Sequence, residues 1–292
     1  MKKHIMTETE WEAEMAQKVL SYTKDALFVD FRHMGRAFQI MTSQADAQIT
    51  TLAVDGEVLH YSSEQLIRLF RNNEKYLNRL YLHGILHCLF QHLWIGGQRN
   101  RRMWHIACDI AVEYVIDHLK KPSVQRILGW LREQTYRELE QYGKGISAAV
   151  IYRWLQSKDL QELEKLGREF FADDHRYWPK EQKGQQMPSP ARKKWQQASH
   201  QISLEQKRNG TDREKGQRLF GQQMKAGQQR RTYRDFLKKF AVFREEMHLD
   251  PEEFDLGYYT YGLQLYGSLP LIEPLESSEV PVSYTHLTLP TI

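Results

Sequence analysis

The stretch YLHGILHCLFQHLW, residues 81–94, decides how this chain is read. His83 and His87 stand four apart in an apolar run, and residues four apart on an α-helix lie one turn above the other on the same face. Two imidazoles so placed can share a metal ion, as in the H-E-x-x-H pattern. There the residue after the first histidine is a glutamate that takes a proton from metal-bound water. Here that position is Gly84, which has no side chain for the task. The stretch therefore offers a metal site without its base. The plain alternative is a pair of core histidines, in a chain that has 12 of them.

A metal site needs further ligands. His92 follows His87 by five residues and on a continuing helix would point about 140° away from it. The intervening residues CLFQ contain no glycine to turn the chain back. Asp109 is the better third ligand. It lies in WHIACDIAVE on the next predicted helix, between apolar neighbours, where a carboxylate is costly unless paired or metal-bound. His105 and Glu113 share its stripe at i−4 and i+4, so a polar line His105–Asp109–Glu113 is set to face His83 and His87 across a helix hairpin.

The 292 residues allow one large domain or two modest ones, and 41% hydrophobic residues suffice for a core. No apolar run approaches the length of a membrane span, and the polar start MKKHIMTETEWEAEMAQ lacks the apolar segment of a signal peptide. Two cysteines, Cys88 and Cys108, indicate buried thiols rather than a disulfide framework. A cytoplasmic protein is expected. Helices are predicted over 7–29, opened by a capping box at Thr7 and Glu10, over 64–72, 74–94, 100–119, 191–208, 212–228 and 233–247, with shorter helical pieces in 123–141 and 146–156, and with 159–178 a helix running into a polar-aromatic turn. ITTLAVDGEVLHYS, residues 49–62, reads as a hairpin turning at Asp55-Gly56. Residues 256–280 read as extended and aromatic.

HGILHCLFQH followed by RNRRMWHIACDIAVEYVI resembles the metallopeptidase-like domain of a bacterial family in which a zincin-like unit precedes a von Willebrand factor A-like domain. LAVDGEVLHYS resembles that family's strand before the active helix, and ADDHRYW its D-D-H-x-x-W element. RRTYRDFLKKFAVFREEMHLDPEEFD and YYTYGLQLYGSLPLIEPLE resemble its lead into the A-like domain. The resemblance implies His83, His87 and Asp109 as metal ligands, with zinc as the metal, and Trp104 matches the family's tryptophan. Gly84 departs from the family at the catalytic base, and Glu113 departs where Asn is usual. The Asp173-Asp174-His175 element is expected to bring a further ligand or another base, with Asp174 and Glu113 as candidate bases and His105 and His175 behind the ligands. The strand region 49–60 would hold extended peptide by edge pairing. The family's usual neighbour, a MoxR-type AAA+ ATPase, is the implied partner.

The fold implied is α+β and predominantly α: a zincin-like helical unit with a small antiparallel sheet, plus a helical arm. Residues 1–178 form the metallopeptidase-like domain. Residues 179–255 form a basic, Gln-rich connector and arm, with 17 Lys/Arg against 5 Asp/Glu between Arg176 and Lys239. That arm reads as solvated, and without a recognition motif its charge does not point to nucleic acid. Residues 256–280 lead toward an A-like domain missing here, and 281–292 read as a non-native tail. Three functions follow: a degenerate metallopeptidase-like domain binding a peptide or protein partner, an active zinc hydrolase using another carboxylate, or a metal-free interaction module.

Overall fold

The computed structural model describes residues 6–143, 145–179, 189–209 and 214–227, with further elements at 243–244, 248–254, 256–267, 274–277 and 280–281. The chain divides into two compact units, Met1–Gln228 and Gln229–Ile292. The first begins with α1 (Glu8–Asp30), whose capping box closes through Thr7 and Glu10. Three short strands follow, β1 (Thr42–Ala45), β2 (Leu52–Val54) and β3 (Val58–Tyr61). β2 and β3 make the expected antiparallel hairpin. Asp55 Oδ1 accepts from the amides of Glu57 and Val58, and Gly56 takes φ 99°, which a side chain would strain. β1 joins the other edge of β3 in parallel, so the sheet is mixed, in the order β1-β3-β2. The polar TSQA of β1 carries no strand pattern, which is why the hairpin alone was predicted.

Helices α2 (Ser63–Asn72), α3 (Glu74–Leu89) and α4 (Arg101–Leu119) come next, the last two capped by Asn73 and Asn100. Every residue of α3 from Leu77 to Leu89 is buried, so this is the central helix of the core. It stops five residues earlier than expected. Gln91 adopts the left-handed conformation at φ 64°, its side chain donating to the Cys88 carbonyl, and a 3₁₀ turn covers His92–Trp94. Beyond α4 lie α5 (Trp130–Tyr142), α6 (Ala148–Leu155) and α7 (Leu160–Phe170). α5 is shorter than its predicted range, and after α7 residues 171–179 form the expected non-helical, turn-containing segment.

Residue 178, where a boundary was expected, lies within the first compact unit. α8 (Pro190–Arg208) and α9 (Lys215–Gly227) belong to the first unit and pack onto it. Ala191, Trp195, Ala198 and Ile202 form a buried stripe along α8, and the Trp195 indole donates to the Gly56 carbonyl at 2.7 Å. This arm is docked, not solvated; its apolar stripe was masked by the surrounding Lys, Arg and Gln.

In the second unit, strand His248–Phe254 pairs antiparallel with Pro274–Ser277, and Phe243–Arg244 with Val280–Pro281. Leu256–Tyr266 is a helix where an extended segment was expected. Phe243–Arg244 is a strand rather than the end of a helix, and the remainder of the predicted helix 233–247 lies outside the described residues. So does the tail beyond Pro281. Among the described residues, no helix is long and apolar enough to cross a membrane.

Candidate metal centre

α3 presents His83 and His87 one turn apart, and α4 runs beside it with Asp109 and Glu113 one turn apart. Nε2 of His83 and Nε2 of His87 approach to 2.8 Å. Asp109 Oδ1 lies 3.5 Å from the first and 3.3 Å from the second. A fourth group joins them: Asp173 Oδ1, 3.4 Å from His83 Nε2 and 3.7 Å from His87 Nε2. All four residues are buried, and their ligand atoms lie within 4.8 Å of one another.

Asp173 arrives on the segment after α7. Its neighbour Asp174 bridges Ala53 of β2 in parallel, the Asp174 amide donating to the Leu52 carbonyl at 2.8 Å. Along an extended chain alternate side chains point to opposite sides. Asp173 and His175 therefore turn inward and are buried, while Asp174 and Arg176 turn outward. The outer edge of β2, expected to be free for a peptide, is thus taken by the protein's own chain. His175 Nε2 lies 2.9 Å from Asp173 Oδ1 and 3.1 Å from Asp109 Oδ1.

The remaining ring nitrogens are held from behind. His83 Nδ1 lies 2.9 Å from Glu113 Oε1. Arg79 donates to Glu113 Oε2 through Nε and Nη2, and Arg132 donates to the same oxygen. Burial works against the Glu113 charge, but Arg79, His83 and Arg132 outweigh it and hold the carboxyl well below its usual range. Glu113 is thus an anion that accepts from His83 Nδ1. Burial opposes the His83 charge, but Asp173, Asp109 and Glu113 hold its pKa well above the usual range, so a metal bound at Nε2 would displace a proton there. His87 is held likewise by His92, their Nδ1 atoms 3.1 Å apart. The left-handed turn at Gln91 brings His92 back to this position, which the sequence reading excluded for want of a glycine.

The donor set fits a divalent metal. Zinc bonds of about 2.0–2.1 Å in tetrahedral array place neighbouring ligand atoms about 3.3 Å apart, and the distances above bracket that spacing. Two imidazole lone pairs at 2.8 Å repel unless a proton or cation lies between them. Asp109 Oδ1 forms no hydrogen bond of good geometry although His175 Nε2 stands 3.1 Å away, the kind of under-satisfied buried acceptor a cation takes up. Burial resists charge on both carboxyls, yet the surrounding imidazoles, His175 foremost, hold both below the ordinary range. Burial also opposes the His175 charge, but Asp109 and Asp173 push its pKa up to about 10. For His87 burial dominates and lowers it to about 4.

The other candidate residues sit around this cluster. Both Glu113 oxygens are occupied by His83 and the two arginines. Asp174 is tied to Arg176, accepting from its backbone amide and from Nε at 2.9 and 2.7 Å. His105 makes edge contacts with His175 and Trp178 and is held near 4 by burial. Trp178 stacks on His175 at 4.0 Å between ring centres, roofing the site. Gly84 faces β2: a Cβ there would lie 3.0 Å from Val54 Cγ1. A cleft of about 700 Å³ opens beside the cluster, lined by His105, Asp109, Asp173 and His175 among others. Sequence reasoning missed Asp173 as the inward member of its pair, His92, and the Arg79–Arg132 support. The period-2 alternation of DDHR was the available signal for the first.

No curated protein and no solved structure matches the chain. A family model does, over residues 27–227, a span that runs from the end of α1 to the end of α9 and contains every member of the cluster. The chain therefore belongs to the family described as "putative metallopeptidase domain".

Proposed function

We propose that this domain holds one zinc ion through His83, His87, Asp109 and Asp173, and that it binds a peptide or protein partner without cleaving it. The observation that carries the reading is Asp173. A catalytic zinc site has three protein ligands and an open position, whereas a structural site is closed by four. Here four side-chain ligand atoms converge, and the residue where a base would stand is Gly84. The mixed imidazole and carboxylate donors suit zinc among the common divalent ions. When bound, the ion supplies positive charge that can polarise an oxygen ligand. The residues of this chain orient the imidazoles through Glu113 and His92 and cover the site with Trp178. A MoxR-type AAA+ ATPase is the proposed assembly partner, on the strength of the sequence resemblance.

The test is zinc content and peptidase activity of the same preparations. One zinc per native chain, its loss in His83→Ala, and no cleavage of an unfolded protein substrate support the reading. Cleavage by the native chain that disappears in His83→Ala contradicts it in favour of a hydrolase. Equal, negligible zinc in both leaves a metal-free interaction module.

A further inference from the structure

The cleft beside the cluster has a charge pattern that the metal site does not require. Arg101, Arg102, Arg168 and Arg176 line its rim. Arg102 and Arg168 share the single carboxylate of Glu164 at 3.6 and 3.9 Å, and Arg176 is paired with Asp174. The Arg101 guanidinium forms no ion pair among the described residues. At the rim four arginines therefore meet two carboxylates, while the other two carboxylates of the lining, Asp109 and Asp173, are buried in the metal cluster. Arg101 and Arg102 also occupy the first turn of α4, which contains no acidic residue. The helix dipole is already positive at that end, where acids are favoured and bases are not. A locally costly placement of this kind marks a functional demand.

The same lining also carries apolar side chains. Ile106, Leu163 and Phe171 are among them, and Phe171 stands 54% exposed. Gly167 brings α7 close to α4, since a Cβ there would lie 3.2 Å from Ile106 Cδ1. The cleft volume suits a ligand the size of a few residues. Arginine binds carboxylates through paired N–H donors. Single-stranded nucleic acid would call for a series of stacking aromatics, and Phe171 is the only exposed one on this lining.

We infer that this cleft binds an acidic peptide segment, its carboxylates held by Arg101, Arg102 and Arg168 and an apolar side chain resting on Phe171. The inference rests on the proposed function only in taking the ligand to be a peptide. The test uses the full chain loaded with zinc and a fluorescent hexapeptide of alternating Glu and Phe, against its Gln-for-Glu counterpart, read by anisotropy. The Glu peptide is expected to bind at least tenfold more tightly, with affinity falling as salt rises. The double variant Arg101→Glu, Arg102→Glu is expected to lose at least tenfold in affinity while its melting temperature holds or rises, because acids suit that helix end. A merely structural role for the arginines would instead lower the melting temperature. Equal binding of the two peptides, unchanged affinity in the double variant, or tighter binding of a single-stranded oligonucleotide than of the Glu peptide overturns the inference. Zinc content of the same samples separates the two claims. Bound zinc with no preference for the acidic peptide fails the cleft alone. Acidic-peptide binding by a chain that takes up no zinc fails the metal reading alone.

Discussion

Gly84 and Asp173 are linked through one strand. Gly84 lets Val54 of β2 press against α3, and β2 is also the strand that carries the Asp173–Asp174 segment into place. Gly84 and the Asp173–Asp174 segment therefore both pack on the same short strand. Replacing Gly84 by Ala improves helix propensity by about 1 kcal/mol but forces Val54 to give way, at about 1–3 kcal/mol for overpacking. Gly84→Ala should come out destabilised by about 1 kcal/mol in urea unfolding, and the cost should vanish in a Val54→Ala background. A double-mutant cycle with no coupling would disprove the contact. Glu113 belongs to the same scale. Glu113→Gln should lower zinc affinity about 10–100-fold, as loss of a group orienting a ligand histidine does. It should also destabilise the fold by about 1–3 kcal/mol, since Arg79 and Arg132 lose one buried counter-charge but keep Asp117, and Arg132 also Glu169. Competition with a zinc chelator and thermal melts read the two effects separately.

At the scale of elements, the docked helices α8 and α9 support the centre from outside. Trp195 fills the space against the β2–β3 turn, and Trp195→Ala should cost about 3–5 kcal/mol. At the end of α9, a Cβ on Gly227 would run into the Phe90 carbonyl. That carbonyl directly precedes the left-handed Gln91, whose turn positions His92. Gly227→Ala should therefore weaken zinc binding as well as stability, although the residue touches no ligand. Unchanged zinc affinity in a folded Gly227→Ala would show that α9 does not brace the turn. His33 gives this region a pH dependence. Burial, then Lys121, lower its pKa to about 4 from 6.5, and its ring packs between Phe31 and Phe220 of α9. The unfolded chain binds the proton more readily, so stability is full above about pH 6.5 and is lost as pH falls toward 4. The loss should be on the order of 2 kcal/mol, and His33→Phe should flatten that part of the profile in chemical unfolding.

At the scale of the molecule, the sequence was most legible where one element's period carries the information. The α3 histidines, the Asp109–Glu113 stripe, the Thr7 cap and the Asp55-Gly56 turn all follow from helix or hairpin spacing. It was least legible where two distant segments meet. Asp173 points inward only because residues 172–174 lie along β2, and nothing in DDHR says which strand it pairs with. His92 returns because Gln91 accepts a conformation usually left to Gly or Asn. The α8 stripe was hidden by composition, which reports the solvent face and the buried face together. Three of the four clustered residues, all on helices, could thus be read from spacing, whereas which residue of the Asp173-Asp174-His175 element would join them could not.

The most direct test is metal stoichiometry by mass spectrometry on the native chain, His83→Ala and Asp173→Ala, each refolded with zinc and dialysed against chelator. One tightly held zinc in the native chain, and its loss from both variants, is the expected result. Retention of zinc by Asp173→Ala at native affinity would contradict a centre closed by four side chains.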